Sequence, residues 1–360
     1  MSGGFDSLSG VLGWRGSLSE SISSAEALSK HLPVDAAAIE RVIRQYPMRI
    51  NPYFLSVIKA GGAPLWRQAV PDAAELEIDA ALTADPLSET PQSPVPNLIH
   101  RYPDRVVFTV SDQCAVYCRH CMRKRRVGRD QRVTGETIAR GIEYVRQNPA
   151  VSEVIISGGD PLLLSDEWLD DILSRLRQIR HVELLRIHSR APCTMPELIT
   201  EDLASLLAAR PPLYLNIQFN HPAELTQDAI AACKILSDAG IPLGSQTVLL
   251  KGVNDNAEVM MQLMQGLLKN RIRPYYLHHA DPVAGTRHFR TTIETGLEIM
   301  RALRGRISGM GVPQYMIDLP GGGGKIPLLP EYIEKISRNK LLVKNYAGEV
   351  YEYPVDYGAE

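Results

Sequence analysis

Short apolar runs rich in β-branched residues alternate with amphipathic helical patterns through most of this chain. The runs lie at residues 105–111, 153–157, 183–189, 213–219, 242–250 and 274–279. After a longer first interval they recur about every 30 residues, which is the length of a unit of one strand and one helix. Six such units predict an α/β fold in which a parallel, curved sheet with outer helices forms a partial (β/α)6 barrel. A doubly wound open sheet is the alternative.

The segments on either side of this repeat have other patterns. Residues 1–24 are rich in glycine and serine and are expected to be flexible, short helical patterns fill 25–70, and 84–98 is a Pro/Ser-rich linker or wrapping segment. Near the C-terminus, 314–318 is a candidate last strand, and 340–354 has two strand patterns around Ala-Gly that are typical of a hairpin. We therefore predict three regions: an N-terminal segment with helices and linker (1–98), the barrel (99–312), and a C-terminal loop and tail (313–360).

The composition excludes several classes of partner. The 360 residues carry a formal net charge of −2, so no overall field attracts nucleic acid or anionic lipid. No apolar run approaches the roughly 20 residues that a membrane span needs, and the N-terminus lacks the basic start and apolar core of a signal peptide. The few, unevenly spaced cysteines do not form a secreted disulfide framework. We expect a cytoplasmic protein with no nucleic-acid and no membrane partner.

Three of the five cysteines stand close together after the first apolar run, as Cys-x3-Cys-x2-Cys at Cys114, Cys118 and Cys121. Three thiolates at this spacing suit a [4Fe–4S] cluster with one iron left open to bind a small molecule. A structural zinc site normally has a fourth protein ligand, so a zinc knuckle completed by a remote histidine is the alternative. Cys193 and Cys233 are isolated and are predicted to be buried apolar side chains.

A second motif is the run Pro-Gly-Gly-Gly-Gly-Lys that ends at Lys325. A phosphate loop of the Walker A type needs Gly-x4-Gly-Lys-Ser/Thr, but Leu319 stands at the place of its first glycine and Ile326 follows the lysine. A lysine amine can instead bind the aldehyde of pyridoxal 5′-phosphate (PLP), and a pliant glycine loop lets it swing away when an amino acid takes its place. A solvent-exposed lysine in a flexible loop is the remaining alternative.

Together the two motifs resemble those of the lysine 2,3-aminomutase family, whose members are radical S-adenosylmethionine (radical SAM) enzymes. The resemblance extends from about residue 50 to the C-terminus and includes His-Arg-Tyr-Pro-Asp-Arg-Val at 100–106. It implies a radical SAM partial barrel, a [4Fe–4S] cluster, S-adenosyl-L-methionine and PLP. The activity that it implies is an isomerase reaction, in which the α-amino group of L-lysine moves from C2 to C3 to give β-lysine. An electron donor such as flavodoxin or ferredoxin is the implied protein partner.

The resemblance also implies roles for individual residues. Lys325 is then the catalytic lysine that binds PLP, and the three cysteines hold the cluster. PLP and its phosphate are contacted by Arg101, Tyr102 and Arg105, and the arginine fork suits phosphate because it donates two parallel hydrogen bonds. Gln218 stands where relatives often carry histidine. The implied S-adenosylmethionine site consists of Ser157, Gly158, Gly159, Asp160, Gln218 and Gln246.

The charges of the implied substrate-site residues indicate which amino acid they would bind. The resemblance matches Arg123 to the arginine that binds the substrate α-carboxylate, and Asp281 and Asp318 to the acids that receive the ε-ammonium of lysine. Two carboxylates in one pocket attract a distal cation and repel a distal carboxylate, which disfavours glutamate. Arginine and ornithine also carry distal cations, so a 2,3-aminomutase for another basic amino acid stays open.

Two further alternatives concern the kind of protein. One is the bacterial branch of the family that makes β-lysine for translation elongation factor P, with the opposite product stereochemistry. The other is a non-catalytic Fe–S electron carrier, although such a protein has no use for a lysine that binds PLP. Clostridial-type relatives bind zinc between subunits through extra C-terminal cysteines, and here no cysteine follows Cys233. We therefore predict no zinc, and a homo-oligomer stays a possibility without it.

Overall fold

The central feature of the fold is a nine-stranded sheet whose strands follow one another in the order of the chain. The computed structural model describes residues 14–129, 133–337 and 340–355. The doubly wound alternative requires a reversal of strand order, which this sheet does not have. The predicted α/β fold with a partial barrel is thereby confirmed. The strands are β1 (Leu98–Tyr102), β2 (Arg105–Ser111), β3 (Glu153–Gly158), β4 (Leu184–Ser189), β5 (Leu213–Ile217), β6 (Leu243–Leu249), β7 (Ile272–His279), β8 (Gln314–Leu319) and β9 (Gly324–Pro327).

The pairing of the strands defines the wall of the partial barrel. Strands β2 to β8 pair in parallel, so their carboxyl ends meet at one end of the barrel. The candidate strand at 314–318 is confirmed as β8, which adds a parallel strand to the six that the repeat predicted. Strands β1 and β9 are antiparallel and line the two edges. Each edge of the sheet is therefore an antiparallel hairpin, β1–β2 on one side and β8–β9 on the other.

Helices cover the outer face of the sheet and precede it at the N-terminus. Ile138, Ile142 and Val145 are buried on one face of the first barrel helix, and Thr134 caps it by accepting a hydrogen bond from the backbone of Thr137. No helix in the described residues is long and apolar enough to span a bilayer. The helices are α1 (Trp14–Ser19), α2 (Ala25–Ser29), α3 (Ala36–Gln45), α4 (Pro52–Gly61), α5 (Ala63–Ala69), α6 (Gly135–Gln147), α7 (Asp166–Arg177), α8 (Ala191–Thr194), α9 (Glu201–Ala208), α10 (Gln227–Asp238), α11 (Ala257–Lys269) and α12 (Ile293–Leu303).

The N-terminal helices pack on the barrel and share its hydrophobic core. Apolar side chains of α2 to α5 belong to the same buried cluster as the barrel strands. The buried Glu75 carboxylate also pairs with Arg119 (Nη2 to Oε2, 2.5 Å) and Lys124 (Nζ to Oε2, 2.6 Å), which flank the last cysteine of the triplet. Removing one partner of a buried ion pair costs about 3–5 kcal/mol. This contact therefore fixes the N-terminal region to the segment that carries the cysteines.

The segments outside the barrel can be compared with the sequence predictions. Of the expected flexible segment, residues 1–13 lie outside the described residues, while α1 begins at Trp14. Residues 84–98 run along the barrel mouth and are a wrapping segment, since Pro86 and Leu87 accept hydrogen bonds from Gly321 and Arg101. The division into regions at 98 and 312 stays a prediction. The predicted hairpin exists as β11 (Lys340–Lys344) and β12 (Val350–Pro354), and β10 (Ile333–Ile336) extends it to three antiparallel strands.

Candidate active site

A cavity of about 510 Å³ lies inside the barrel and reaches the carboxyl ends of its parallel strands. This is the end at which enzymes of this architecture place their reacting groups. Every residue that the sequence indicated for a site lines this one cavity. These residues are Arg101, Tyr102, Arg105, Cys114, Cys118, Cys121, Arg123, Ser157, Gly158, Gly159, Asp160, Gln218, Gln246, Asp281, Asp318 and Lys325.

The cysteine triplet lies in the loop after β2, where the chain turns back on itself. Burial, and then the neighbouring Cys118, raise the pKa of the Cys121 thiol to about 11, and burial raises the pKa of Cys114 well above its usual value. Thiols with such pKa values ionise only when a cation binds them, as metal–thiolate sites require. In the described part of the chain no three His, Cys, Asp or Glu side chains converge on a single ion position. The three thiols of this loop are the side chains that would ligate a cluster.

One backbone N–H and one side chain donate hydrogen bonds to the sulfur atoms of the triplet. The backbone N–H of Arg123 donates to Sγ of Cys121 (3.3 Å), and Nη1 of Arg190 donates to Sγ of Cys118 (2.7 Å). Arg190 is itself held by the buried Glu224 carboxylate (2.7 Å). Donors of this kind lower the electron density on a ligating sulfur and so tune a cluster's potential. Arg190 directly follows β4, at a strand end where reacting groups collect, but no motif in the sequence gave it a role.

The glycine pair after β3 is required by the protein's own packing. A Cβ atom at Gly158 would lie 2.3 Å from the carbonyl oxygen of Ser111, and one at Gly159 would lie 2.3 Å from that of Gln113. The backbone N–H groups of Gly159 and Asp160 donate to those same two carbonyl oxygens (2.6 and 2.7 Å). The close approach thus fixes this edge of the cavity against the start of the cysteine loop.

Asp160 and the two glutamines have different surroundings. Burial raises the pKa of Asp160, while its carboxylate accepts hydrogen bonds from the Ser189 hydroxyl (2.8 Å) and the Arg190 backbone (2.8 Å). Its side chain therefore fixes the end of β4. Gln218 lies 3.3 Å from the His120 ring, and Gln246 lines the cavity from β6. Both amides keep groups free to face a ligand in the cavity.

Lys325 lies on β9, directly opposite Asp318 of β8. Its ammonium is paired with the Asp318 carboxylate, and its backbone N–H donates to the Tyr102 hydroxyl (2.8 Å). Gly321 and Gly322, in the loop between the two strands, have φ values of 69° and 87°, which favour glycine. The loop leads into a strand, whereas a phosphate loop of the Walker A type leads into a helix. The glycine–lysine motif therefore places an amine inside the cavity.

The arginines matched to PLP have protein partners in this structure. Arg101 donates to Gln92 (2.9 Å) and lies 3.4 Å from Asp318. Arg105 is paired with Asp104 (2.9 Å), and its side chain is 39% exposed. Both side chains line the cavity on the Lys325 side, where β1 and the start of β2 meet β9. A phosphate group there finds two guanidinium groups with unused donors, because each has five N–H groups.

The two groups matched to the substrate differ in their charge state. Arg123 pairs with Glu89 (2.8 Å), and its Nη1 donates to the Ser157 hydroxyl (3.2 Å). Burial, and then the charge of Asp318, raise the pKa of Asp281 to about 7. A cation placed between the two aspartates would reverse that effect. The cavity therefore offers a guanidinium beside the cysteines and a pair of acids near Lys325.

Other cavity residues were not predicted from the sequence. Glu89 lies in a segment whose composition is typical of a linker, and nothing in its neighbours indicates a site. Arg186 of β4 faces the cavity two residues before His188, as strand alternation permits. Burial, and then the charge of Lys325, lower the pKa of His278 to about 3, so its ring is a neutral imidazole.

Comparison with known proteins identifies relatives over nearly the whole chain. The family model described as the Radical SAM superfamily matches residues 108–264, and the one described as Lysine-2,3-aminomutase matches residues 300–359. The chain is 44% identical to an L-lysine 2,3-aminomutase from Clostridium subterminale, in an alignment that covers 96% of this chain and 85% of the relative. It is 45% identical to the L-lysine 2,3-aminomutase from Acetoanaerobium sticklandii, in an alignment that covers 94% of this chain and 84% of the relative. It is 40% identical to a glutamate 2,3-aminomutase from Clostridioides difficile, in an alignment that covers 92% of this chain and 80% of the relative.

Proposed function

We propose that this chain, which belongs to the lysine 2,3-aminomutase family of the radical SAM superfamily, moves the α-amino group of L-lysine from C2 to C3 and releases β-lysine. The cofactors of the family are a [4Fe–4S] cluster, S-adenosylmethionine and PLP. The observation that carries the proposal is the shared cavity. Three cysteines, an amine on a glycine loop and a pair of acids line the same space of about 510 Å³.

The chain's own residues divide the work of holding these groups. When bound, the cluster and S-adenosylmethionine supply a radical that removes and returns a hydrogen atom, and PLP holds the substrate amine and delocalises the unpaired electron. Cys114, Cys118 and Cys121 would hold the cluster. Ser157, Gln218 and Gln246 would face S-adenosylmethionine, while Gly158, Gly159 and Asp160 shape that edge. Arg101, Tyr102 and Arg105 would hold PLP beside Lys325.

Lys325 is the group that must bind PLP and then leave it when the substrate enters. Its backbone is held by the Tyr102 hydroxyl, so the side chain moves while β9 stays in place. The Asp318 carboxylate already pairs with the lysine ammonium. It therefore gives the displaced amine, once that amine has taken up a proton, a counter-ion without a new conformation of the strand.

The charges along the cavity favour lysine over glutamate as substrate. In this proposal Arg123 receives the α-carboxylate, and Asp281 and Asp318 receive the distal ammonium. The pairing of the Lys325 ammonium with Asp318 supports this view, because a substrate ε-ammonium is the same chemical group. A distal carboxylate would instead meet two acids and lose binding free energy through their repulsion. Arginine and ornithine are the competing basic substrates that the test below includes.

The raised pKa of Asp281 predicts a pH dependence of catalysis. An ammonium binds the ionised carboxylate, and Asp281 in the free enzyme is protonated below its pKa of about 7. The ε-ammonium of lysine has a pKa near 10.4 and stays charged throughout. We therefore expect kcat/KM for lysine to rise about tenfold per pH unit below pH 7 and to level off above it.

Steady-state assays from pH 5.5 to 8.5 measure this profile, with Asp281→Asn as the control. The variant should show a lower plateau without the rise that titrates near pH 7. If the variant keeps the same rise, another group titrates there and Asp281 does not bind the distal ammonium.

The direct test of the function is a product assay. The cluster is reconstituted anaerobically, and PLP, S-adenosylmethionine, a reductant and one amino acid (lysine, arginine, ornithine or glutamate) are added. We expect a β-amino acid from lysine only, identified by chiral chromatography. The enantiomer distinguishes the branch that serves translation elongation factor P from other relatives. Turnover of another amino acid without β-lysine would overturn the substrate assignment, and absence of S-adenosylmethionine cleavage would overturn the radical reaction.

The electron donor and the compartment are part of the same proposal. The cluster needs one electron at low potential, which a flavodoxin or ferredoxin supplies. Three half-buried thiols that must stay reduced to hold iron suit the reducing cytoplasm. Reconstitution with a purified flavodoxin and its reductase, in place of a chemical reductant, measures whether such a donor supports turnover.

The C-terminal sheet supports a homo-oligomer. The register of β10, β11 and β12 places six apolar side chains on one face, and Ile336 and Tyr353 are 64% and 61% exposed. A small sheet with an uncovered apolar face is rarely stable alone, and a second copy across a two-fold axis covers it with the same surface. The six residues are Ile333, Ile336, Leu341, Val343, Tyr351 and Tyr353.

We expect sedimentation analysis to give a dimer or larger assembly for the unchanged protein. Tyr351→Glu combined with Tyr353→Glu should dissociate it at micromolar concentration, because two charges would be buried in an apolar contact. Glu352→Gln, on the opposite face of β12, is the control and should leave the mass unchanged. A monomeric unchanged protein would contradict the assembly.

A further inference from the structure

The mouth segment, residues 83–93, joins several elements that border the cavity. It forms hydrogen bonds with the loop after β7, with the glycine loop after β8 and with the Arg101 side chain. Two of its side chains, Leu87 and Glu89, line the cavity wall. The hydrogen bonds are Thr83 N to Pro282 O (3.0 Å), Ala284 N to Thr83 O (2.9 Å), Gly321 N to Pro86 O (3.3 Å) and Arg101 Nη2 to Leu87 O (2.9 Å).

Glu89 is the buried acid of the mouth segment, with 4% of its surface exposed. Oε1 accepts from Nη2 (2.8 Å) and Nε (3.1 Å) of Arg123, and Oε2 accepts from Nη2 of Arg125 (2.9 Å). Burial alone would raise the pKa of Glu89, but the two arginines outweigh it and hold the pKa at about 2. Glu89 is therefore a carboxylate near neutral pH.

This pairing determines which part of the Arg123 guanidinium can bind a ligand. Glu89 occupies the edge formed by Nε and Nη2, and Nη1 gives one hydrogen bond to the Ser157 hydroxyl. One N–H on Nη1 and one on Nη2 are left, and they form the other edge of the planar fork. A carboxylate that meets this edge makes two parallel hydrogen bonds. The orientation of the free edge thus depends on Glu89.

The charges around Arg123 also indicate a role for Glu89. Arg123 and Arg125 carry two positive charges, and Glu89 together with Asp85, which lies 3.0 Å from Arg125, carries two negative charges. Before a ligand binds, the group is neutral as a whole. The affinity of Arg123 for a carboxylate therefore depends more on the direction of its free N–H groups than on net charge. Glu89 fixes that direction through its hydrogen bonds to Nε and Nη2.

We propose that Glu89 is a positioning residue, which fixes the Arg123 guanidinium so that its free edge receives the α-carboxylate of the amino-acid substrate. The inference rests on the proposed function, in which Arg123 binds that carboxylate. Glu89 itself does not contact the substrate. It acts through Arg123, and so its removal should weaken only ligands that carry a carboxylate.

The test compares two ligands of the enzyme loaded with PLP. L-lysine carries the carboxylate, and 1,5-diaminopentane is the same molecule without it. Their dissociation constants are measured from the change in PLP absorbance on amine binding, without reductant or turnover. In the unchanged enzyme we expect lysine to bind more tightly. Glu89→Gln should weaken lysine at least tenfold and diaminopentane less than twofold, while Glu77→Gln, at an exposed acid before the mouth segment, changes neither.

A second variant keeps the test decisive if Glu89→Gln fails to fold. Glu89→Asp preserves the charge but shortens the side chain by one methylene, and we expect the same selective loss in smaller measure. Equal weakening of both ligands would overturn the proposal by showing a general structural role. Tighter lysine binding would overturn it as well, since Glu89 would then compete with the substrate. If the unchanged enzyme does not prefer lysine to diaminopentane, the proposed function itself fails.

Discussion

Lys325→Ala is expected to remove the visible PLP absorbance of the purified protein and to abolish formation of β-lysine. Loss of a group that binds its reaction partner covalently lowers kcat by about three orders of magnitude or more. The three cysteines are supplied by a different loop, so cluster content and its absorbance should not change. Absorbance spectra after dialysis with excess PLP, together with product analysis, measure both effects.

The control for this prediction is Lys335→Ala, at an exposed lysine of β10 in the same C-terminal region. It should retain PLP and full activity. The pair of variants also separates the enzyme from an Fe–S electron carrier, in which neither lysine affects an absorbance. If Lys325→Ala still binds PLP and borohydride fixes the cofactor to the protein, another lysine holds it and the role of the glycine loop is wrong.

The sequence predicted the features that are encoded locally. Strand and helix patterns repeat with the period of βα units, so the parallel strands and their order could be predicted without knowledge of contacts. The cysteine triplet and the glycine–lysine loop are short motifs in which each residue type has a chemical reason. Because carboxyl ends of parallel strands meet at one end of a barrel, the fold also predicts that Cys114, Asp281 and Asp318 lie near one another.

Features that depend on tertiary contacts could not be predicted in this way. Glu89 reaches Arg123 across 34 positions of sequence, and a lone acid in a Pro/Ser-rich segment gives no sign of such a partner. The close approach of Gly158 and Gly159 to the backbone of Ser111 and Gln113 likewise depends on tertiary contacts, and the sequence motif did not indicate it. The short strand β10 was missed because four residues give too little alternation to indicate pairing with β11.

Asp281→Asn is expected to lower kcat/KM for lysine about a hundredfold, because removing one partner of a buried charge pair costs roughly 3 kcal/mol. Asp318→Asn should lower it at least as much, since Asp318 also pairs with Lys325 and contacts Arg101. Asp281 is the more selective probe of the distal ammonium for that reason. Neither side chain is expected to affect the cluster.

The decisive measurement for these two aspartates uses 6-hydroxynorleucine, in which a hydroxyl replaces the distal ammonium of lysine. The unchanged enzyme should prefer lysine strongly, because the analogue leaves the buried Asp281 carboxylate without a cation. In Asp281→Asn the ratio of kcat/KM for lysine to that for the analogue should fall by the same factor as kcat/KM for lysine. The reason is that the analogue has no distal charge, so its own kcat/KM should change little. An unchanged preference would show that Asp281 does not sense the substrate's distal charge, and basic-amino-acid selectivity would then have to come from elsewhere in the cavity.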